Sequence, residues 1–157
     1  MATETQSPAT LKKRYASEAI GTFALVFAGT GAIAINELTG GGVTHVGIGL
    51  TFGLVVMAMV YALGDISGAH INPAVTLGFW IARQFDGRRV LPYIASQTLG
   101  AFTASAALWA ILHEPTTLGA TIPAGPSWQS FVLEVILTAI LMFVILNVST
   151  GAKEKGI

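Results

Sequence analysis

Two stretches of this chain have no place on the surface of a water-soluble fold. Val46 to Gly64, 19 residues, and Val90 to Leu112, 23 residues, carry no charged side chain. A helix needs about 20 consecutive apolar residues to cross the hydrocarbon of a bilayer, so both read as membrane spans. About Tyr15 to Ile35 and Trp128 to Val148 qualify as well, with one carboxylate each, Glu18 and Glu134. Of the 157 residues, 53% are hydrophobic and only 10% are charged, which excludes an ordinary soluble domain and fits one small all-α domain in a lipid bilayer. The lack of cysteine rules out disulfides and thiolate metal sites, and the zero net charge argues against nucleic acid as a partner. With no nucleophile and base pair, metal-ligand cluster or phosphate loop in the sequence, no enzyme, metal or cofactor is expected.

Between the second and third spans lies a shorter apolar segment, residues 66–82, which opens on Ser67-Gly68-Ala69-His70-Ile71-Asn72-Pro73-Ala74-Val75-Thr76. Non-helical backbone at membrane depth is tolerated only against protein or a water-filled cavity. Pro73 suits the first turn of a helix, where its missing N–H costs nothing, and Asn72 suits the cap before it. The expected product is a re-entrant half-helix with the Asn72 amide and the carbonyls of Gly68, Ala69 and His70 facing a path for neutral, hydrogen-bonding solutes. An ordinary cap and turn in a soluble loop is the bland alternative, and the flanking spans argue against it. Gly49 and Gly53 are expected to let the second span approach its neighbours closely. Asp65 reads as a solvated span end. His45 and His113 fall in loops and carry no assignment.

All eight basic residues lie before the first span, between the re-entrant segment and the third span, or after the fourth: Lys12, Lys13, Arg14, Arg83, Arg88, Arg89, Lys153 and Lys155. By the positive-inside rule both termini are cytoplasmic, and residues 66–82 dip in from that side of a cell membrane. Residues 1–14 and 152–157 then read as cytoplasmic tails, with Met1 to Leu11 disordered, around a membrane domain of 15–151. The first apolar segment does not have the form of a cleaved signal peptide, so the N-terminus is expected to be retained. Trp80, Trp109 and Trp128 fall near span ends, as interfacial aromatics do.

Glu18, Thr22, Leu25 and Phe27 recur as Glu134, Thr138, Leu141 and Phe143, each shifted by 116 positions. Channel and transporter folds are often inverted repeats built around paired broken helices. The fourth span then starts a second copy whose own re-entrant segment is expected beyond Ile157.

The Ser67 to Thr76 stretch resembles the first signature loop of the aquaporin, or major intrinsic protein, family. Glu18-Ala19-Ile20-Gly21-Thr22 is similar to that family's first helix, Phe52-Gly53-Leu54 to its second, and Gln97 with Gly100 to its third. The resemblance covers about Tyr15 to Gly151 and implies an aquaporin-like bundle, here with four membrane helices and one re-entrant half-helix. It implies passive permeation of water or small uncharged solutes such as glycerol, in homo-oligomers that are tetramers in the family. Site roles follow from it: Asn72, within Asn72-Pro73-Ala74, donates to the permeating molecule, Phe52 narrows the path, and Glu18 and Gln97 support the loop. Unaided by the resemblance, Phe52 reads as packing, and Glu18, which costs about 3 kcal/mol if charged at a helix centre, is explained almost as well by snorkelling near the cytoplasmic surface as by the family role of accepting from the Asn72 loop backbone. The second Asn-Pro-Ala loop, the arginine near it and two further spans of the family pattern are not in these 157 residues, so an incomplete pore is expected. The alternative function is a non-conducting subunit that assembles with full-length relatives.

Overall fold

The computed structural model of the protein describes residues 8–112 and 116–150. They form five α-helices: α1 (Pro8–Leu38), α2 (Thr44–Ser67), α3 (Pro73–Ile81), α4 (Val90–Ile111) and α5 (Ser127–Thr150), with a single 3-10 turn at Gly87–Arg89. Four of them are long and apolar enough to cross a membrane. At 1.5 Å per residue the 24 residues of α2 extend about 36 Å, more than the ~30 Å of hydrocarbon. The 9 residues of α3 extend only about 14 Å, less than half of that thickness.

α1, α2 and α5 run longer than the apolar stretches alone. α1 begins at Pro8, so the polar stretch read as a disordered tail is helical from Pro8 to Leu11, with proline at a first-turn position that suits it. α2 continues through Asp65 to Ser67, and Gly68, at φ 90°, ends it in the left-handed conformation that glycine adopts without strain. The remainder of the expected N-terminal tail, the C-terminal tail with Lys153 and Lys155, and His113 lie outside the described residues.

α1 is the central post, packing on α4 along one side and on α2 along another. Close approach depends on glycines other than those expected. Gly49 and Gly53 have nothing within 4 Å of a Cβ position, so among the described residues α2 does not use them for packing. Instead a Cβ on Gly100 of α4 would stand 2.2 Å from the Ala19 carbonyl oxygen of α1, and one on Gly29 of α1 would stand 2.2 Å from the Phe52 ring of α2. At Gly100 a side chain would run into backbone, and at Gly29 it would have to displace the Phe52 ring. α5 reaches the rest of the bundle through α3, where Met142 lies over Gly78.

The turns at the far end of α1 are tied down by its own side chains. Asn36 Oδ1 accepts from the backbone N–H groups of Val43 (3.2 Å) and Thr44 (2.8 Å), fixing the α1–α2 turn. Glu37 accepts from the Thr117 N–H (3.0 Å) and hydroxyl, and Gly119 lies against the backbone of Thr30. The connection before α5 is thereby drawn back over α1.

Candidate functional site

Asn72 stands where α2 and α3 meet. Its backbone is extended (φ −156°, ψ 129°), and its side-chain Oδ1 accepts from the Ala74 N–H at 2.8 Å, capping α3 with Pro73 in the first turn. The carbonyl is thus engaged, and the amide Nδ2, two N–H donors on a half-exposed residue, faces outward from the cap.

The loop ahead of Asn72 is strained. Ala69 at φ 46° and Ile71 at φ 43° occupy the left-handed region, which is costly for any L-residue and most of all for a β-branched one. Such strain persists only where the surroundings over-determine the backbone. Glu18 does so from α1: its Oε1 accepts from the His70 N–H (3.0 Å) and its Oε2 from the Ile71 N–H (2.7 Å). The carboxylate is wholly buried, and its remaining neighbour is Gln97 of α4, whose Nε2 donates to Oε2 at 2.7 Å. Three donors from two other elements therefore converge on one acceptor, which accounts for an acid inside a membrane bundle. Gly21, one turn along α1, supplies the space: a Cβ there would lie 2.4 Å from Ile71 Cγ2.

A second set of contacts closes the loop from below. Thr76 Oγ1 accepts from Gln97 Nε2 (2.9 Å), donates to the Asn72 carbonyl (3.1 Å) and lies 3.2 Å from His70 Nδ1. The imidazole is stacked on Phe79 (centroids 4.7 Å) and flanked by Phe85 and Tyr93. Tyr93 in turn donates its hydroxyl to the Ser67 carbonyl at the end of α2 (2.8 Å), while Ser67 Oγ accepts from the Ala69 N–H (3.1 Å). Thr76, Ser67 and Tyr93 were not singled out by the sequence. The one available signal is the Asn72 to Thr76 spacing of four, a single helical turn.

Above Asn72, between α1 and α4, runs a groove of about 360 Å³ lined by Thr22, Val26, Ile71, Asn72, Gln97 and Ser105, among others. Two buried oxygens of its lining, Thr22 Oγ1 and Gln97 Oε1, have no hydrogen-bond partner among the described residues. Gln97 Oε1 can only accept, so whatever satisfies it must carry a donor. Glu18, His70, Asn72 and Gln97 are thus one cluster, with Gly68 and Ala69 in its loop and Pro73 and Ala74 in the first turn of α3. Phe52 is not part of it. Its ring rests on Gly29, on the order of 16 Å along α1 from the level of Glu18. Glu134 is exposed on α5, apart from the cluster.

The sequence profile of the major intrinsic protein family matches residues 4–156. Aquaporin NIP1-3 of Oryza sativa subsp. japonica is 50% identical over 141 residues, covering 89% of this chain and 49% of that protein. Aquaporin NIP2-1 of Zea mays is 44% identical over 149 residues, covering 95% of this chain and 50% of that protein. The chain spans about half the length of the curated relatives it matches.

Proposed function

The chain belongs to the major intrinsic protein family, a family of multi-pass membrane channels, and from that premise we propose that it supplies the Asn72 half of a passive channel. The permeating species are water or small uncharged solutes such as glycerol. Asn72 donates through Nδ2, because its Oδ1 is held by the cap, and the carbonyls of Gly68, Ala69 and His70 accept along the approach to it. Donors and acceptors at fixed positions replace the hydration of a neutral molecule, whereas an ion would lose far more on leaving water. Glu18 and Gln97 hold the loop and do not touch the solute. Phe52 narrows the path at a second level.

The groove above Asn72 is the observation that carries this reading. Its two orphaned oxygens and its position at the N-terminus of α3 fit a second re-entrant segment that presents N–H groups, meeting α3 head to head. The orientation that goes with it has both termini cytoplasmic and residues 66–82 entering from the cytoplasm, in the cell membrane. Lys12, Lys13, Arg14, Arg83, Arg88 and Arg89 motivate that choice, and assembly as a homo-oligomer or with full-length relatives goes with the family.

Reporter fusions after Gly119 and after Ile157 test the orientation: an external signal at the first and a cytoplasmic one at the second are expected, and the reverse contradicts it. For the solute path, vesicles carrying this chain with the second half of the rice relative should take up glycerol or water faster than empty vesicles. The gain should fall in Asn72→Ala. Uptake indifferent to that substitution would remove Asn72 from the path.

A further inference from the structure

We propose that Gly29 is a positioning residue for Phe52: its bare backbone fixes where the Phe52 ring lies, and through the ring it sets the width of the solute path. The inference rests on the reading of Phe52 as the residue that narrows that path.

The contact is unusually close. A Cβ on Gly29 would lie 2.2 Å from Phe52 Cε1, 2.3 Å from Cζ and 2.7 Å from Cδ1, distances that carbon atoms do not reach. The ring edge therefore occupies the volume that any side chain at position 29 would fill. Both ends of the contact sit on spanning helices, α1 and α2, with Gly29 buried and Phe52 half-buried. The glycines on α2 itself offer no comparable seat, since Gly49 and Gly53 are open to 4 Å. Gly29 also has no part in the Glu18 cluster, a long way down α1, so a change there moves the ring and leaves the Asn72 loop in place.

A methyl group at position 29 must push the ring off α1. An aromatic side chain can swing about its first two torsions, and the direction left to it is away from α1. With Phe52 as the residue that narrows the path, a ring pushed off α1 moves further into it, and the larger solute suffers first. A site that discriminates by fit responds to one carbon with a factor of about 10 or more. Gly29→Ala should accordingly lower the glycerol-to-water flux ratio on the order of tenfold.

Two readouts test this. In the first, 4-fluorophenylalanine is placed at position 52 of the 157-residue chain in nanodiscs, and its ¹⁹F resonance is compared between the parent and Gly29→Ala. A displaced resonance is expected, with Gly31→Ala as control, because a Cβ on Gly31 faces Leu108 of α4 (3.2 Å) and not Phe52. An unmoved resonance in Gly29→Ala overturns the proposal whether or not the chain conducts. In the second, glycerol and water fluxes are measured in vesicles holding the chain with the second half of a relative. Gly29→Ala should lower the ratio, and in a Phe52→Ala background it should have no further effect. A ratio that stays constant while the resonance moves, or an effect that persists without Phe52, overturns the link to path width. Absence of any flux from the parent assembly sinks the channel reading and the path-width claim with it, while the resonance still reports the Gly29–Phe52 contact.

Discussion

α1 and α5 carry the same side chains at the same spacing, Glu18, Thr22, Leu25 and Phe27 on one and Glu134, Thr138, Leu141 and Phe143 on the other. On α1 the first two are buried, and Glu18 is the acceptor on which a loop and a neighbouring helix converge. On α5 Glu134 is exposed, as are Leu141 (45%) and Phe143 (69%), and the helix packed against it is the short α3. The pattern of a helix thus prescribes which residues share a face, but what that face does is decided by the elements brought against it. A carboxylate with three donors is a keystone. The same carboxylate on α5 accepts no hydrogen bond from the described residues and holds nothing in place.

The largest effect that could break this comparison is the removal of the keystone. Glu18→Ala leaves the N–H groups of His70 and Ile71 and the Gln97 amide without their acceptor, and each orphaned buried donor costs about 1–3 kcal/mol. Unfolding in detergent should come several kcal/mol sooner, and Glu18→Gln, which keeps one acceptor oxygen, should lose less but still loosen the loop. Next, Gly21→Ala should cost about 1–3 kcal/mol by driving a methyl group into Ile71, with faster hydrogen exchange at residues 69–71 as its local signature. Tyr93→Phe keeps the ring beside His70 and loses the bond to the Ser67 carbonyl, for about 1 kcal/mol in the same unfolding assay. Glu134→Gln should be neutral to within about 0.5 kcal/mol, or stabilising. A loss at Glu134 larger than that of Glu18→Gln would show that α5 has a structural partner for its carboxylate and would erase the contrast.

Much of the architecture was legible because it follows from local rules. Uncharged runs of membrane length, the Asn72-Pro73 cap sequence and a short apolar segment at membrane depth define four long helices and a half-helix without any knowledge of contacts. Helix ends were less so: Asp65 interrupts the apolar run of α2 and the charged Lys12 to Arg14 follow Pro8 to Leu11, so hydropathy stopped short although the backbone carries on. At the site, Glu18 was ambiguous from its residues alone, since an acid near a helix end snorkels as readily as it braces. Its partners lie 52, 53 and 79 positions away, a separation no periodicity reports. Tyr93, 26 positions from Ser67, was invisible for the same reason. The packing glycines were misassigned because Gly49 and Gly53 have the spacing of a contact stripe, whereas the actual seats, Gly21, Gly29 and Gly100, depend on which neighbour arrives.

The most direct test of the Asn72 loop as one half of a channel is osmotic water permeability, measured by stopped-flow swelling of liposomes that hold residues 1–157. This polypeptide offers one Asn72 loop from one side, and copies in the same orientation place every such loop on that side. Liposomes with these residues alone should match empty ones, and supplying a matching second half should raise permeability in an Asn72-dependent way. Rapid, Asn72-dependent water flux from residues 1–157 alone would contradict the account.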